Sequence, residues 1–254
     1  MSTRTPIALI TGASRGLGRS TALKLAEHGT DVLITYHRHP SEADAVVSQV
    51  RAAGRRAAAL PLDTTALGSF EDFAAQLRET LARTFGAERF DYLVNNAGFG
   101  DDASIAEVTE VQFDRLLNVH FKGVLFLTQR LLPLLADGGR IVNISSGLTR
   151  TSFPGKAVYA AMKGAVEVLS RYLAVELGAR RIAVNVIAPG AVATDFGGGQ
   201  VRDNPELGAR IASFTALGRV GLPDDIGGAI AHLLASECGW INAQRIEVSG
   251  GLNV

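Results

Sequence analysis

Short apolar runs alternate along this chain with longer stretches in which apolar residues recur at helical spacing. A run rich in Val, Ile, Leu or Ala without polar alternation fits a strand buried on both faces, whereas a half-buried strand would alternate apolar with polar residues. Such runs predict strands at Ile7–Thr11, Val32–Tyr36, Arg56–Leu60, Asp91–Asn95, Arg140–Ser145, Ile182–Ile187 and Arg245–Ser249. Between them, helical periodicity predicts helices near Leu17–His28, Ser41–Ala53, Leu67–Phe85, Glu110–Leu135, Gly155–Leu177 and Pro223–Ser236. Regular strand–helix alternation marks a parallel sheet covered on both faces, so the chain reads as α/β and doubly wound, with a seven-stranded parallel sheet. No Pro/Ser-rich linker, charge block or repeat breaks the order, and residues 1–254 are read as a single domain.

The glycines sharpen that picture. The first strand leads into Thr11-Gly12-Ala13-Ser14-Arg15-Gly16-Leu17-Gly18 and then directly into a helical stretch. Glycines at 12, 16 and 18 allow a tight turn and let a pyrophosphate approach the amides at the positive end of a helix. A glycine turn in the first strand–helix unit is where a Rossmann-type fold binds a dinucleotide. An acid at the end of the second strand would bind ribose hydroxyls and repel a 2′-phosphate, but Tyr36, His37 and Arg38 stand there. With Arg15 in the turn and Arg38 beside it, two guanidinium groups are expected to clamp a phosphate, which predicts NADP(H), with NAD(H) as the alternative.

Tyr159 and Lys163 are four residues apart in a helix-forming stretch, so both side chains leave one face about one turn apart. An ammonium beside a phenol favours the phenolate, and the Lys163 charge together with an oxidised nicotinamide is expected to lower the phenol pKa. Ser146 lies thirteen residues before Tyr159, at the carboxyl end of the fifth strand, where open α/β sheets present ligand-binding groups. Asn118 sits in a long apolar helix, where an amide needs a hydrogen-bond partner. His120 is expected to face elsewhere on that helix and is assigned no chemistry.

Taken together, these residues resemble the short-chain dehydrogenase/reductase family, whose landmarks follow in order over almost the whole chain. They are the Thr-Gly-x-x-x-Gly-x-Gly turn, Asp63, Asn95-Asn96-Ala97-Gly98, Asn118, Ser146, Tyr159-x-x-x-Lys163 and Pro189-Gly190 with Thr194. The resemblance implies that Ser146, not Ser145, holds the substrate oxygen, and that Tyr159 is general acid in reduction and general base in oxidation. It implies that Lys163 binds the nicotinamide ribose and that Asn118 holds a water linking Lys163 to solvent. The cofactor-binding set it implies comprises Gly12, Ser14, Arg15, Gly16, Leu17, Gly18, Tyr36, His37, Arg38, Asp63, Thr64, Asn95, Ala97, Gly98, Tyr159, Lys163, Pro189, Gly190, Val192 and Thr194. Asp63 is placed at the adenine amino group, and Val192 and Thr194 at the carboxamide and phosphate.

The substrate is less defined. Phe99, Leu148, Phe153, Phe196 and Phe214 suit a moderately apolar carbonyl or secondary alcohol. The overall pattern resembles 3-oxoacyl-carrier-protein reductases, yet Leu134–Gly139 lacks the basic residues that grip an acidic carrier, and Arg180 with Arg181 replaces them only in part. Acyl-thioester, sugar, polyol, steroid-like and xenobiotic substrates stay open. Phe196-Gly197-Gly198-Gly199-Gln200 is too glycine-rich to start a stable helix, and 195–218 is read as a substrate lid. A cofactor-binding regulator without turnover is the competing class, and the intact Asn118, Ser146, Tyr159 and Lys163 set argues against it. An epimerase or dehydratase of the longer nucleotide-sugar-binding kind also uses Tyr-x-x-x-Lys, but the short part after Thr194 leaves little room for its substrate domain.

Composition narrows partners. Lys plus Arg equals Asp plus Glu at 25 each, so no net field draws nucleic acid or an anionic membrane. Met1–Pro6 is short and polar, no stretch nears the roughly 20 apolar residues of a spanning helix, and a cytoplasmic protein is expected. The single Cys238 excludes an internal disulfide and a cysteine metal cluster, it reads as an inert buried residue, and no metal site is expected. Gly155–Leu177 is apolar on more than one face and needs cover, and the resemblance implies a homotetramer.

Overall fold

The computed structural model describes residues 4–254, so Met1–Thr3 of the polar start lie outside the described residues. Strands β1 (Ile7–Ile10), β2 (Asp31–Tyr36), β3 (Ala57–Pro61), β4 (Phe90–Asn95), β5 (Leu135–Ile144), β6 (Ala183–Pro189) and β7 (Arg245–Val248) form one sheet in the order β3-β2-β1-β4-β5-β6-β7. Every pairing is parallel. The helices are α1 (Gly16–Glu27), α2 (Pro40–Ala52), α3 (Phe70–Thr80), α4 (Glu110–Leu117), α5 (Gly123–Leu131), α6 (Ala157–Glu176), α7 (Gln200–Asp203), α8 (Pro205–Ser213) and α9 (Pro223–Leu234).

Successive strand residues point to opposite faces, and both faces of this sheet are apolar. Ile7 and Leu9 pack with Phe73 and Leu77 of α3, Leu131 of α5 and Leu173 of α6. Ala8 and Ile10 pack on the other side with Leu25 of α1, Val50 of α2 and Ile230 of α9. Each fully buried Leu or Ile contributes about 1.5–3 kcal/mol relative to exposure, so two such layers hold the sheet rigidly. The strand order reverses between β1 and β4, and that reversal opens a crevice at the carboxyl ends of the strands.

Three predicted elements differ from the structure. The helix expected over Glu110–Leu135 is α4 and α5 joined by a π turn at Asn118–Lys122, and it yields to a 3-10 turn at Leu132–Leu134 where Pro133 cannot donate. β5 then starts at Leu135, five residues earlier than Arg140, because Leu135 pairs with Phe90 before a register shift. The stretch 195–218, read without helices, contains α7 and α8, and Asn204 caps α8 by accepting from the Glu206 and Leu207 amides at 3.1 and 3.0 Å. Cys238, expected buried, is partly exposed in a 3-10 turn after α9.

Candidate active site

The turn after β1 is shaped by close backbone approach. A Cβ on Gly12 would lie 2.8 Å from Ala97 Cα, and one on Gly18 would lie 2.6 Å from Asn96 Nδ2 and 2.7 Å from Ala13 Cα. Asn96 fastens the turn by donating from Nδ2 to the Thr11 and Gly12 carbonyls at 2.8 and 3.0 Å. Thr11 Oγ1 in turn accepts from the Asn96 and Ala97 amides, each at 3.0 Å. Gly16 has φ +57°, and a Cβ there would make ordinary contact with Thr194 at 3.9 Å, so the turn lies beside Thr194. Arg15 precedes α1 in extended conformation and no side chain caps that helix. Free first-turn amides, glycine-lined space and the absence of an acid at Tyr36 fit a dinucleotide carrying an extra phosphate.

Around the end of β2, Arg15, His37 and Arg38 are exposed. Arg15 lies 3.9 Å from Asp195, and His37 Nε2 lies 3.4 Å from Asp63 Oδ2. Burial pushes the Asp63 carboxyl up, but hydrogen bonds from Thr65 N and Oγ1 and the charges of His37 and Arg38 hold it below its ordinary value. Asp63 therefore caps its own loop with one oxygen and turns the other toward His37. Thr64 lies against α5, its carbonyl oxygen where a side chain on Gly123 would go. Asn95 is buried, and its Nδ2 donates to Thr128 Oγ1 at 3.0 Å and Asn143 Oδ1 at 2.7 Å, so its side chain ties strands and α5 together. Gly190 serves packing likewise: a Cβ there would lie 2.9 Å from Ser249 Cα.

Beyond β5 the material changes to buried side chains. Ser145 turns inward, donating to Glu167 Oε1 at 2.6 Å, while Ser146 starts a 3-10 turn, accepts from the Leu148 amide at 3.2 Å and lies close enough to Tyr159 to favour its phenolate. Tyr159 and Lys163 both face inward from α6, and Lys163 Nζ lies 5.6 Å from the Tyr159 ring and donates to Ile144 O at 2.9 Å. Burial, against which the nearby Ser146 hydroxyl works, holds the Tyr159 phenol well above its ordinary value. Loss of solvent around the phenol outweighs any help from an ammonium 5.6 Å from the ring. The same burial brings Lys163 down to about 7. Tyr159 is thus a protonated donor at neutral pH.

The expectation for His120 is corrected. The π turn adds a residue to the helical circuit and swings His120 inward, where it is fully buried and meets the Tyr159 ring edge-on at 5.0 Å. Its Nε2 pairs with Phe99 O at 2.8 Å, and Gly98 leaves room for it, since a Cβ there would lie 2.7 Å from His120 Cε1. Asn118 is partly exposed and its side chain makes no hydrogen bond among the described residues. A histidine inside an apolar run, with glycine at 98, is the only sequence signal, and ideal helical spacing hides it.

Two further groups were not legible in advance. Glu167 Oε1 accepts from Ser145, from Thr149 Oγ1 at 2.8 Å and from Arg245 Nε at 2.8 Å, and Arg245 reaches the Ser146 carbonyl at 3.3 Å, so this network braces the Ser146 turn from behind. Phe196 lies 5.7 Å from the Tyr159 ring, after which Gly197, Gly198 and Gly199 all take positive φ. Phe99 and Leu148 pack in the same cluster as Tyr159, while Arg115 stacks 5.1 Å over Phe99 and pairs with Asp101 at 3.2 Å. Phe153 and Phe214 are exposed further out.

Comparison with known proteins accords with this geometry. A family model described as enoyl-(acyl carrier protein) reductase matches residues 12–253. The hydroxynaphthalene reductase-like protein Arp2 of Metarhizium brunneum is 36% identical over 256 residues, covering 96% of this chain and 94% of its own length. A short-chain dehydrogenase/reductase from Serratia marcescens superposes with a TM-score of 0.90 at 32% identity, covering 99% of both chains. The angucycline C-6 ketoreductase LanV, solved with bound NADP, gives a TM-score of 0.92 at 35% identity over 98% of this chain and 95% of its own. On motif order, fold and these matches alike, the chain belongs to the short-chain dehydrogenase/reductase family of oxidoreductases.

Proposed function

We propose that this enzyme is an NADP(H)-dependent reductase of apolar, ring-bearing ketones. The carrying observation is a buried Tyr159, with Lys163 5.6 Å from its ring, beside a wall of Phe99, Leu148 and Phe196. When bound, the reduced nicotinamide supplies the hydride. Ser146 holds the ketone oxygen, and Tyr159 donates its proton to that oxygen as negative charge develops there. Lys163 supplies positive charge beside Tyr159 and binds the nicotinamide ribose. The glycine turn from Gly12 to Gly18 carries the pyrophosphate, Arg15 and Arg38 the 2′-phosphate, Asp63 and Thr64 the adenine side, and Ala97, Gly98, Pro189, Val192 and Thr194 the rest. Asn95 is left with main-chain contacts only, since its side chain is committed to Thr128 and Asn143.

Similarity to hydroxynaphthalene and angucycline reductases supports a fused-ring substrate. A carrier-bound 3-oxoacyl thioester is the second reading, supported by the family model's description. Against it, Arg180 is occupied with Asp137 Oδ1 at 2.7 Å and the Leu132 and Leu135 carbonyls at 2.9 and 2.5 Å, leaving less basic surface for an acidic carrier. We further infer a cytoplasmic homotetramer, with 195–218 as a substrate lid on a single-domain body. Supporting the assembly, Val168, Tyr172 and Val175 are exposed on α6 and Trp240 is wholly exposed, and none of the helices among the described residues is long and apolar enough to cross a membrane.

The test is a matrix of initial rates for a tetralone, a naphthoquinone, an acetoacetyl thioester and a ketosugar, each with NADPH and NADH. Fused-ring turnover with a kcat/KM about tenfold or more in favour of NADPH is expected. Preference for the ketosugar, or for NADH, would overturn the proposal.

A further inference from the structure

Three polar side-chain atoms are buried without a hydrogen-bond partner among the described residues, and one of them, His120 Nδ1, lies beside the reacting tyrosine. His120 Nε2 is committed to a carbonyl, which accepts only, so Nε2 carries the proton and Nδ1 presents a lone pair. A buried acceptor left unmatched is destabilising. Lys163 holds the complementary surplus: it is buried, has three N–H donors, and places one on Ile144 O. Both residues flank the same Tyr159 ring, at 5.0 Å for His120 and 5.6 Å for Lys163 Nζ.

We propose that His120 is a positioning residue that accepts at Nδ1, through one buried water, a hydrogen bond originating on Lys163, and so holds the ammonium beside Tyr159. The link to Lys163 that the resemblance gave to Asn118 thus belongs to His120, and the proposal rests on Tyr159 being the proton donor. Burial and the Lys163 charge hold the imidazole well below its ordinary pKa, which keeps the lone pair available. Tyr159 and Lys163 of α6 are the titratable groups that face it, with Arg115 and Asp101 reached only through Phe99. The aromatic contact and the Gly98 gap fix the ring in place.

Two arms test this. In the first, full-length protein labelled with 15N-histidine is followed by NMR, His120 being assigned as the imidazole whose signals are missing from His120→Asn. The Nδ1 shift is expected at a hydrogen-bonded acceptor's position in wild type and at a free lone pair's in Lys163→Met. A free-lone-pair shift in wild type, or no change in Lys163→Met, overturns the proposal whether or not a substrate is known. In the second arm, the kcat–pH profile for a reducible ketone is compared in His120→Phe, which lacks the acceptor, and His120→Asn, which retains one. The alkaline limb in His120→Phe should move about one pH unit lower, because Lys163 sheds its proton earlier, with KM and NADPH Kd within about twofold. His120→Asn should keep the wild-type limb. Coincident profiles for wild type and His120→Phe, or equal losses in both variants, contradict it. If His120→Phe does not fold, the NMR arm decides. Absence of turnover on every ketone, with the NMR result as expected, would count against the assigned activity and not against the His120 contact.

Discussion

The two ends of the strand-tip crevice are made of different material. At the β1–α1 turn the groups proposed to bind the cofactor are main-chain amides, glycines and exposed guanidinium groups, and the charges there sit in water. At the β5–α6 end the groups are buried side chains, and burial displaces Tyr159 upward and Lys163 down to about 7. The first end is screened by solvent, so altering a charge there tunes affinity with little effect on the fold. The second end gives up stability to hold ionisable groups where chemistry needs them.

That contrast can be broken at several points. Lys163→Met should lower kcat roughly 100-fold, within the range of acid–base contributions, while raising stability. The sign follows from a folded pKa of about 7 against 10.5 for the unconstrained side chain. Between those values the unfolded state holds a proton that the folded state has released, so this group's contribution to stability rises with pH, and below about pH 7 the full burial penalty applies. Thermal denaturation should therefore put Lys163→Met above wild type by roughly 5 °C or more at pH 6.5, with the gap closing toward pH 10. A wild-type Tm higher than the variant's at pH 6.5 would break the contrast.

Gly18→Ala comes next. The new Cβ would collide with Asn96 Nδ2 and with main-chain atoms of Ala13 and Gly12, so the turn must shift. Fluorescence titration should show NADPH Kd raised about tenfold or more, with a stability loss of about 1–3 kcal/mol in denaturant melts. The smallest effect belongs to Arg38→Ala, expected to weaken NADPH about three- to tenfold by isothermal titration, to leave NADH within about twofold and Tm unchanged. Equal weakening of both cofactors would remove Arg38 from the 2′-phosphate.

Much of this molecule was readable before its structure. The seven strands lie where apolar runs place them, since buried parallel strands need continuous apolar sequence, and the glycine turn falls where close approach forbids a Cβ. What periodicity missed was local departure from ideal geometry. The π turn at Asn118–Lys122 changes which residue faces Tyr159, and ideal helical spacing does not place His120 against that ring. The Glu167–Arg245 brace joins residues 78 positions apart, a pairing no local pattern encodes. Three glycines ahead of α8 mask it in the sequence pattern, although Asn204 and Pro205 form a good start just beyond them.

The central claim is that a buried, protonated Tyr159 delivers the proton that accompanies hydride transfer. Its most direct test is Tyr159→Phe, assayed by single-turnover NADPH oxidation on a fused-ring ketone alongside equilibrium NADPH binding. A rate loss of roughly 10²–10⁴-fold is expected, with NADPH Kd unchanged within about twofold. A Tyr159→Phe enzyme that keeps its rate would contradict it.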